Sequence, residues 1–242
     1  CRAFAQHRPT TPWKVWYSGP NFRYEKPQAG RYRQFDQVGV EVLGSDDALL
    51  DAEVVALGWQ FFARLGLRQL TLVINSLGDA EDRARYIDSL RVHLESRASE
   101  LSDEAKATLL RNPLRVLDSK RPQDAAVIAA APLITEFLSD DARSHFARVL
   151  AALDLLGVPY RVNERLVRGL DYYRRTTFEY VAASLDGSQN AVGGGGRYDG
   201  LVEDLGGPAT GGVGFAIGVD RTLLACDAEQ VFDTGSVVVD AF

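Results

Sequence analysis

The stretch Glu164-Arg-Leu-Val-Arg-Gly-Leu-Asp-Tyr-Tyr-Arg-Arg-Thr-Thr-Phe-Glu179 joins a glycine hinge to an alternating strand pattern. Gly169 lies between Arg168 and the pair Tyr172 and Tyr173, and the β-branched and aromatic residues that follow alternate as a strand does. An arginine on a short Gly-Leu-Asp turn can face an anion. Adjacent tyrosines on extended backbone give one phenol to each side, each able to pack and to hydrogen-bond. The segment reads as one wall of a rigid, polar small-molecule pocket with an anion clamp at its edge.

On either side of this wall the pattern changes twice. Trp13 to Gly44 reads as two strands around a loop containing Pro27 and Gly30. In the returning strand Val38, Val40 and Val42 share a core face, while Gln37, Gly39 and Glu41 share the other. Gln37 and Glu41 are then about 13 Å apart, at about 3.3 Å per residue, with a side-chain-free gap between them. That face also fits the solvated side of a sheet. Asp46 to Leu65 has helical spacing and stops at Gly66, and Leu70 to Asn75 is a buried strand. Between Gly78 and Gly157 there is no glycine, and helical patterns run over Glu81–Arg97, a capped segment from Ser102, Leu133–Leu138 and Asp140–Leu156. Asn112-Pro113 and Arg121-Pro122 break that run. Strands return from Tyr160 to Val181 and from Ala191 onward. Strands, then helices, then strands joined by tight turns predict an α+β fold with an antiparallel sheet and a helical insertion.

Composition limits what such a fold does. The chain has 242 residues, 46% of them hydrophobic and 25% charged, enough for a large buried core. A formal net charge of −6 argues against sequence-independent coating of nucleic acid and leaves room for a local basic site. Cys1 and Cys226 are the only cysteines, so there is no disulfide framework or cysteine-rich metal site, and a cytoplasmic setting is expected. No run of about 18 apolar residues is present to span a membrane. The chain contains no Met and ends on the apolar run Val-Val-Val-Asp-Ala-Phe, so both ends are expected to be truncations.

The chemistry lies in arginines and glycines. Arg23 sits on the opposite face from Phe22 and Tyr24, Arg168 precedes the tyrosine pair, and Arg221 follows a glycine-rich strand and opens a helical run. In that strand Gly212, Gly214, Ala216 and Gly218 alternate, leaving one face almost without side chains and suited to a planar base. Gly193-Gly-Gly-Gly-Arg-Tyr-Asp-Gly200 either passes beneath a substrate or forms a flexible turn. There is no Gly-x-x-x-x-Gly-Lys-Ser/Thr loop, no dinucleotide-binding βαβ unit and no His-Glu-x-x-His. His7, His93 and His145 are scattered and read as surface or helix-face residues. Arginines without a general base favour stabilisation of phosphate charge over proton transfer.

Phe22-Arg-Tyr-Glu-Lys-Pro-Gln-Ala-Gly-Arg-Tyr-Arg-Gln-Phe-Asp-Gln-Val-Gly-Val-Glu41 resembles motif 2 of the histidyl-tRNA synthetases, which are class II aminoacyl-tRNA synthetases. Leu166-Val-Arg-Gly-Leu-Asp-Tyr-Tyr173 and Gly193–Leu201 resemble the family's two histidine-specific motifs, and Gly212–Arg221 resembles motif 3. The resemblance runs in the family's order from Trp13 to about Leu224. It implies a class II antiparallel catalytic sheet flanked by helices. The implied core covers residues 1–79 and 159–228, the helical insertion 80–158, and a linker with a possible first strand of a truncated anticodon-binding domain 229–242. It further implies ATP-dependent activation of L-histidine to histidyl-adenylate and transfer to tRNA(His), with Mg2+ accompanying ATP and no metal held by protein side chains. The full-length protein is expected to be a cytoplasmic homodimer.

Carried over by position, Arg23 and Arg221 would grip the ATP phosphates. Arg168 would meet the α-phosphate and the histidine carboxylate as they react, which makes Arg168 and Arg23 the catalytic residues. Gln37 would contact the α-amino or carboxylate end of histidine. Glu41 and Tyr173 would read the imidazole beside Tyr172, and Gly194 and Gly195 would line the amino-acid pocket. The family's motif 1 and its Thr-x-Glu element, which holds the α-amino group, would precede Cys1. Lys26 and Gln34 stand where the family commonly has arginine and glutamate.

A rival reading is the synthetase-like regulatory subunit of ATP phosphoribosyltransferase, which is not catalytic. The intact Arg168-Gly-Leu-Asp-Tyr-Tyr173 together with Arg23 and Arg221 favours the enzyme, because a silent subunit need not keep them. A third reading is a synthetase-like domain that senses uncharged tRNA within a larger protein.

Overall fold

A computed structural model describes residues 1–24, 27, 31–166, 172–185 and 190–232. Seven strands form one sheet: β1 (Trp13–Phe22), β2 (Gln34–Leu43), β3 (Leu70–Ser76), β4 (Arg161–Val162), β5 (Arg174–Ala182), β6 (Ala191–Arg197) and β7 (Gly212–Gly218). Their spatial order is β1-β2-β7-β6-β5-β3-β4, antiparallel throughout except for the β3–β4 pair. The α+β class and the antiparallel sheet expected from the strand–helix–strand order are what the structure has.

Alternation along the strands decides which face meets the helices. Val42, Leu72, Ile74, Phe178, Tyr180, Val213, Phe215 and Ile217 bury against α2 (Ala48–Arg64), α6 (Asp140–Leu155) and α8 (Val219–Glu229). Asp47 caps α2 by accepting from the Leu49 amide at 3.1 Å, and Ser139 caps α6 in the same way from Ala142 at 3.2 Å. Each such cap satisfies one amide that a helix start leaves unpaired, and contributes about 1 kcal/mol. Tyr180 passes under α2 at Gly58, where a Cβ would collide with the phenol, and its hydroxyl donates to the Val55 carbonyl at 2.7 Å.

A second core is built only from helices. Tyr86, Leu90 and Leu94 of α3 (Ala80–Ser96) pack with Leu101, Ala105 and Leu109 around α4 (Asp103–Leu109), and with Leu114, Val116, Val127 and Ile134. Pro113 and Pro122 do not merely interrupt this run. Each occupies the first turn of the next helix, a 3₁₀ turn over Pro113–Asp118 and α5 (Pro122–Ala129). Proline's missing N–H costs nothing there, and its fixed φ suits a helix start.

The second core does not take in the whole glycine-free run. Phe146, Val149 and Leu153 of α6 belong to the sheet core, not to the second cluster. Periodicity marks α6 as amphipathic but does not say which core its apolar face meets. Two short α-helices, α1 (Arg2–His7) and α7 (Leu201–Asp204), meet at one edge, where Phe4 packs with Leu43, Tyr173, Tyr198 and Val202.

Candidate active site

The face of the sheet away from α2 carries the site. Gln37 and Glu41 stand on it as the alternation of β2 predicts, but the gap at Gly39 is filled. Tyr17 pairs across from Gly39 on β1, and its ring lies where a Gly39 side chain would be. The Tyr17 hydroxyl donates to Glu41 Oε1 at 3.2 Å. From the other side Tyr198 donates to Glu41 Oε2. Gly214 pairs with Glu41 across β2 and β7, and a methyl there would run into Glu41 Oε2. The glycines of these strands therefore let one carboxylate lie flat between two phenols.

That arrangement sets the charges. Burial pushes the Glu41 carboxyl above its ordinary value, and the hydrogen bonds from Tyr198 and Tyr17 only partly offset it. Tyr17 is pushed up to about 12 by burial and by the Glu41 charge. Tyr198 is raised further by the same two causes. Both phenols therefore stay protonated and donate. A carboxylate has about four acceptor positions, so Glu41 can still take a third donor from a ligand.

Glu41, Tyr17 and Tyr198 line a pocket of about 550 Å³ together with Gln37, Tyr172, Tyr173 and Gly194. Tyr172 and Tyr173 do not point to opposite sides as adjacent strand residues would. They precede β5, in a turn, so strand alternation does not apply to them, and their ring centroids lie 4.7 Å apart in the same pocket. Tyr172 also meets Tyr198 edge to face at 6.3 Å. Gly194 lines the pocket, whereas Gly195 pairs with Phe178 and Phe215, and a side chain on it would strike the Gly214 carbonyl. The demand for glycine at 195 thus comes from β7 rather than from a ligand.

A second cleft of about 860 Å³ adjoins the first and shares Gln37, Gly194 and Ala216 with it. It holds Arg23, Arg31 and Arg221. Arg23 lies over the Phe35 ring at 3.8 Å and donates from Nε to the Tyr32 carbonyl at 3.3 Å. Arg221 donates to the Ala191 carbonyl at 2.9 Å. Burial first, and then Arg23 and Arg31, pull the Arg221 pKa down. Burial and then Arg31 do the same to Arg23. A cationic cluster that depresses its own pKa values favours an anion between its members.

The bare face expected on β7 is only half bare. Tyr198 covers Gly212 and Glu41 covers Gly214, whereas Ala216 and Gly218 open onto the cleft. A planar group finds space at that end alone.

Arg168 lies outside the described residues. The chain approaches it from Leu166, whose carbonyl accepts from the buried Asn75 side chain at 3.1 Å. Arg165 beside it donates to the Ala129 and Ala131 carbonyls at 2.8 and 3.0 Å.

His145, expected at a helix face or the surface, is buried. Its Nε2 lies 2.9 Å from Asp51 Oδ2, and its Nδ1 lies 3.3 Å from Arg175 Nη1. Asp51 also accepts from Thr176 Oγ1 at 2.6 Å and from Arg197 Nε at 3.0 Å. Arg197 donates on to Asp199 Oδ1 at 2.9 Å, which also takes the Gly212 amide at 2.9 Å. This network ties α2, α6, β5, β6 and β7 together directly behind Tyr198. Among the described residues no group of three or more His, Cys, Asp or Glu side chains is arranged to hold a metal ion.

Sequence reasoning passed over Tyr17, Tyr198 and Arg31. Arg31 and Tyr198 sit inside the quoted motifs. Tyr17 had one signal, the gap at Gly39 that its ring occupies.

A mostly antiparallel sheet flanked by helices, with a cationic cleft opening into a polar aromatic pocket, has the architecture of class II synthetase catalytic domains. The chain belongs to the histidyl-tRNA synthetase family, whose description matches residues 1–222. A histidine–tRNA ligase of Rhodococcus erythropolis is 52% identical over 244 residues, covering 100% of this chain and 57% of the relative. The crystal structure of apo histidyl-tRNA synthetase of S. aureus superposes with a TM-score of 0.75 at 39% identity, covering 95% of this chain and 56% of that one. A Bacillus halodurans structure described as an ATP phosphoribosyltransferase regulatory subunit/histidyl-tRNA synthetase shares the fold, with a TM-score of 0.65 and 21% identity over 93% of this chain and 62% of that one. The chain spans a little over half the length of the curated relatives it matches. Among the described residues no helix is long and apolar enough to cross a membrane.

Proposed function

We propose that the protein to which this chain belongs is a histidine–tRNA ligase, activating L-histidine with ATP and passing the histidyl group to tRNA(His). The observation that carries this reading is the junction of the two clefts at Gln37, Gly194 and Ala216. A histidine with its ring against Glu41 and its carboxylate toward Gln37 has that carboxylate at the mouth of the arginine-lined cleft. The carboxylate oxygen attacks the α-phosphorus of ATP, the bond to the β-phosphate oxygen breaks, and pyrophosphate leaves with the electron pair. Arg23 and Arg221 hold the phosphates, and Arg168 meets the reacting carboxylate and α-phosphate. Mg2+ would enter with ATP as part of the substrate, and Asp118, Glu179 and Asp220 are the carboxylates that line the cleft. The pocket's aromatic walls and buried carboxylate reject apolar amino acids of similar size, because Glu41 would then remain charged and unmatched.

The division into a catalytic core at 1–79 and 159–228, a helical insertion at 80–158 and a linker at 229–242 belongs to the same reading, as do a homodimeric assembly and a cytoplasmic location. Of the linker, residues 233–242 lie outside the described residues. Arg221→Ala tests the assignment of the clefts. It is expected to weaken ATP in equilibrium titrations and to lower activation about a hundredfold, the usual effect of removing one charge-stabilising donor. Histidine binding alone is expected to change little. Equal losses for both ligands would remove Arg221 from the nucleotide cleft.

A further inference from the structure

This inference rests on the reading of the 860 Å³ cleft as the nucleotide site. One wall of that cleft does not come from the sheet. Leu117, Asp118, Ser119 and Lys120 of the helical unit line it together with Arg23, Arg31 and Arg221. The segment is held from behind by Asp124, a fully buried residue of α5. The Asp124 carboxylate accepts from Ser119 Oγ at 2.5 Å, from the Ser102 amide at 2.7 Å and from Ser102 Oγ at 2.9 Å. Burial works against that charge, but the bonds from Ser102 and Ser119 carry the Asp124 pKa below its ordinary value, so the clamp is ionised. On the other side of Lys120, the Arg121 amide donates back to Ser119 Oγ at 3.4 Å and Pro122 starts α5. The backbone of Lys120 is therefore fixed at both ends while its side chain stays exposed.

Lys120 also lines a separate cleft of about 720 Å³ within the helical unit, beside Arg111, Arg115 and Arg121. It stands where the two clefts meet. An ammonium on a flexible stem adjusts to a charged ligand that rigid guanidinium groups already orient. The most negative part of ATP is its β- and γ-phosphates, and the arginine-lined cleft is where they would lie.

We propose that Lys120 binds the β- and γ-phosphates of ATP, the part released as pyrophosphate, so that the helical unit supplies part of the nucleotide site. The contact spans the two cores, and closing it brings the helical unit against the sheet. The test uses the full-length gene product. Lys120→Ala is expected to raise the KM for both ATP and pyrophosphate in the exchange reaction about tenfold, the loss of one hydrogen bond to a charged group. The KM for histidine is expected to stay within about twofold, and Lys120→Arg to restore most of the loss, since the charge returns. Ser119→Ala, which frees the segment from Asp124, is expected to shift the same two constants to a smaller degree.

Unchanged KM values for ATP and pyrophosphate in Lys120→Ala overturn the proposal, and a rise confined to the KM for tRNA assigns the lysine to a nucleic-acid backbone instead. An equal rise in the histidine KM also overturns it. Wild-type protein without exchange would count against the proposed function alone. Direct titration with ATP in the absence of histidine then still reads the Lys120 contact, with about tenfold weaker binding expected in the variant.

Discussion

Asp51→Asn is expected to cost about 3–5 kcal/mol of folding stability, the usual loss on breaking a buried ion pair while leaving its partner charged. Both side chains of the Asp51–Arg197 pair are 0% exposed. Arg197 cannot lose its proton at any ordinary pH, and in the variant Asp199 is the one carboxylate left to it in this network. Asp51 also receives His145 and Thr176, and an asparagine keeps one acceptor oxygen for these donors while its amide group faces the rest. Burial alone would raise the Asp51 pKa, but the hydrogen bonds from His145 and Arg197 hold it below the usual range. The sign follows. A depressed folded-state pKa gives stability that is present above the unfolded carboxylate's value of about 3.9 and is lost as pH falls through the folded value. Chemical denaturation of wild type and Asp51→Asn is expected to show a constant difference from pH 7 to about pH 5, narrowing below about pH 4. A difference under about 1 kcal/mol at pH 7 would mean that the network is not the brace it resembles.

Glu41→Gln is expected to lower kcat/KM for histidine by about 3–5 kcal/mol, a hundredfold to a few thousandfold, as removal of one partner of a buried charged hydrogen bond does. The substitution keeps the shape between Tyr17 and Tyr198 and removes only the charge and one acceptor. It is also expected to raise the unfolding midpoint of the ligand-free protein at pH 7. The Glu41 pKa is raised in the folded state, so its stability contribution is full below the unfolded value of about 4.3 and is lost as pH rises through the folded value. Ionised Glu41 is thus a liability until a ligand's N–H meets it. Histidine affinity of the wild type is expected to fall on acidification through that raised pKa, beyond the fall caused by the ligand's own ring. Glu41→Gln isolates the ring's share. A variant that bound histidine normally would show that Glu41 does not read the imidazole.

The two substitutions also mark how far the chain can be read without its fold. Glu41 was legible because strand alternation is local: Val38, Val40 and Val42 identify the core face, and the polar face follows two residues at a time. The helix starts at Ser102 and Asp140 were legible for the same reason, since start signals act within the first turn. Asp51 was not legible. Its partner Arg197 is 146 positions away, and an aspartate in a helix looks like any solvated one until the chain is folded. The partners of His145 on its helix face were hidden for that reason. Tyr172 and Tyr173 show a subtler limit, because alternation was extended one turn too early, into residues that precede β5. A run without glycine marks helices but not their partners: α6 meets the sheet core through long-range packing of Phe146, Val149 and Leu153.

The proposed function rests on one buried carboxylate and one cluster of arginines, in clefts joined at Gln37, Gly194 and Ala216. ATP–pyrophosphate exchange by the full-length gene product, run with each amino acid in turn, tests that account most directly. Exchange that depends on histidine and on no other amino acid is the predicted result. Intact histidine binding without any exchange would contradict it and would point instead to a synthetase-like subunit that has kept the pocket and lost the reaction.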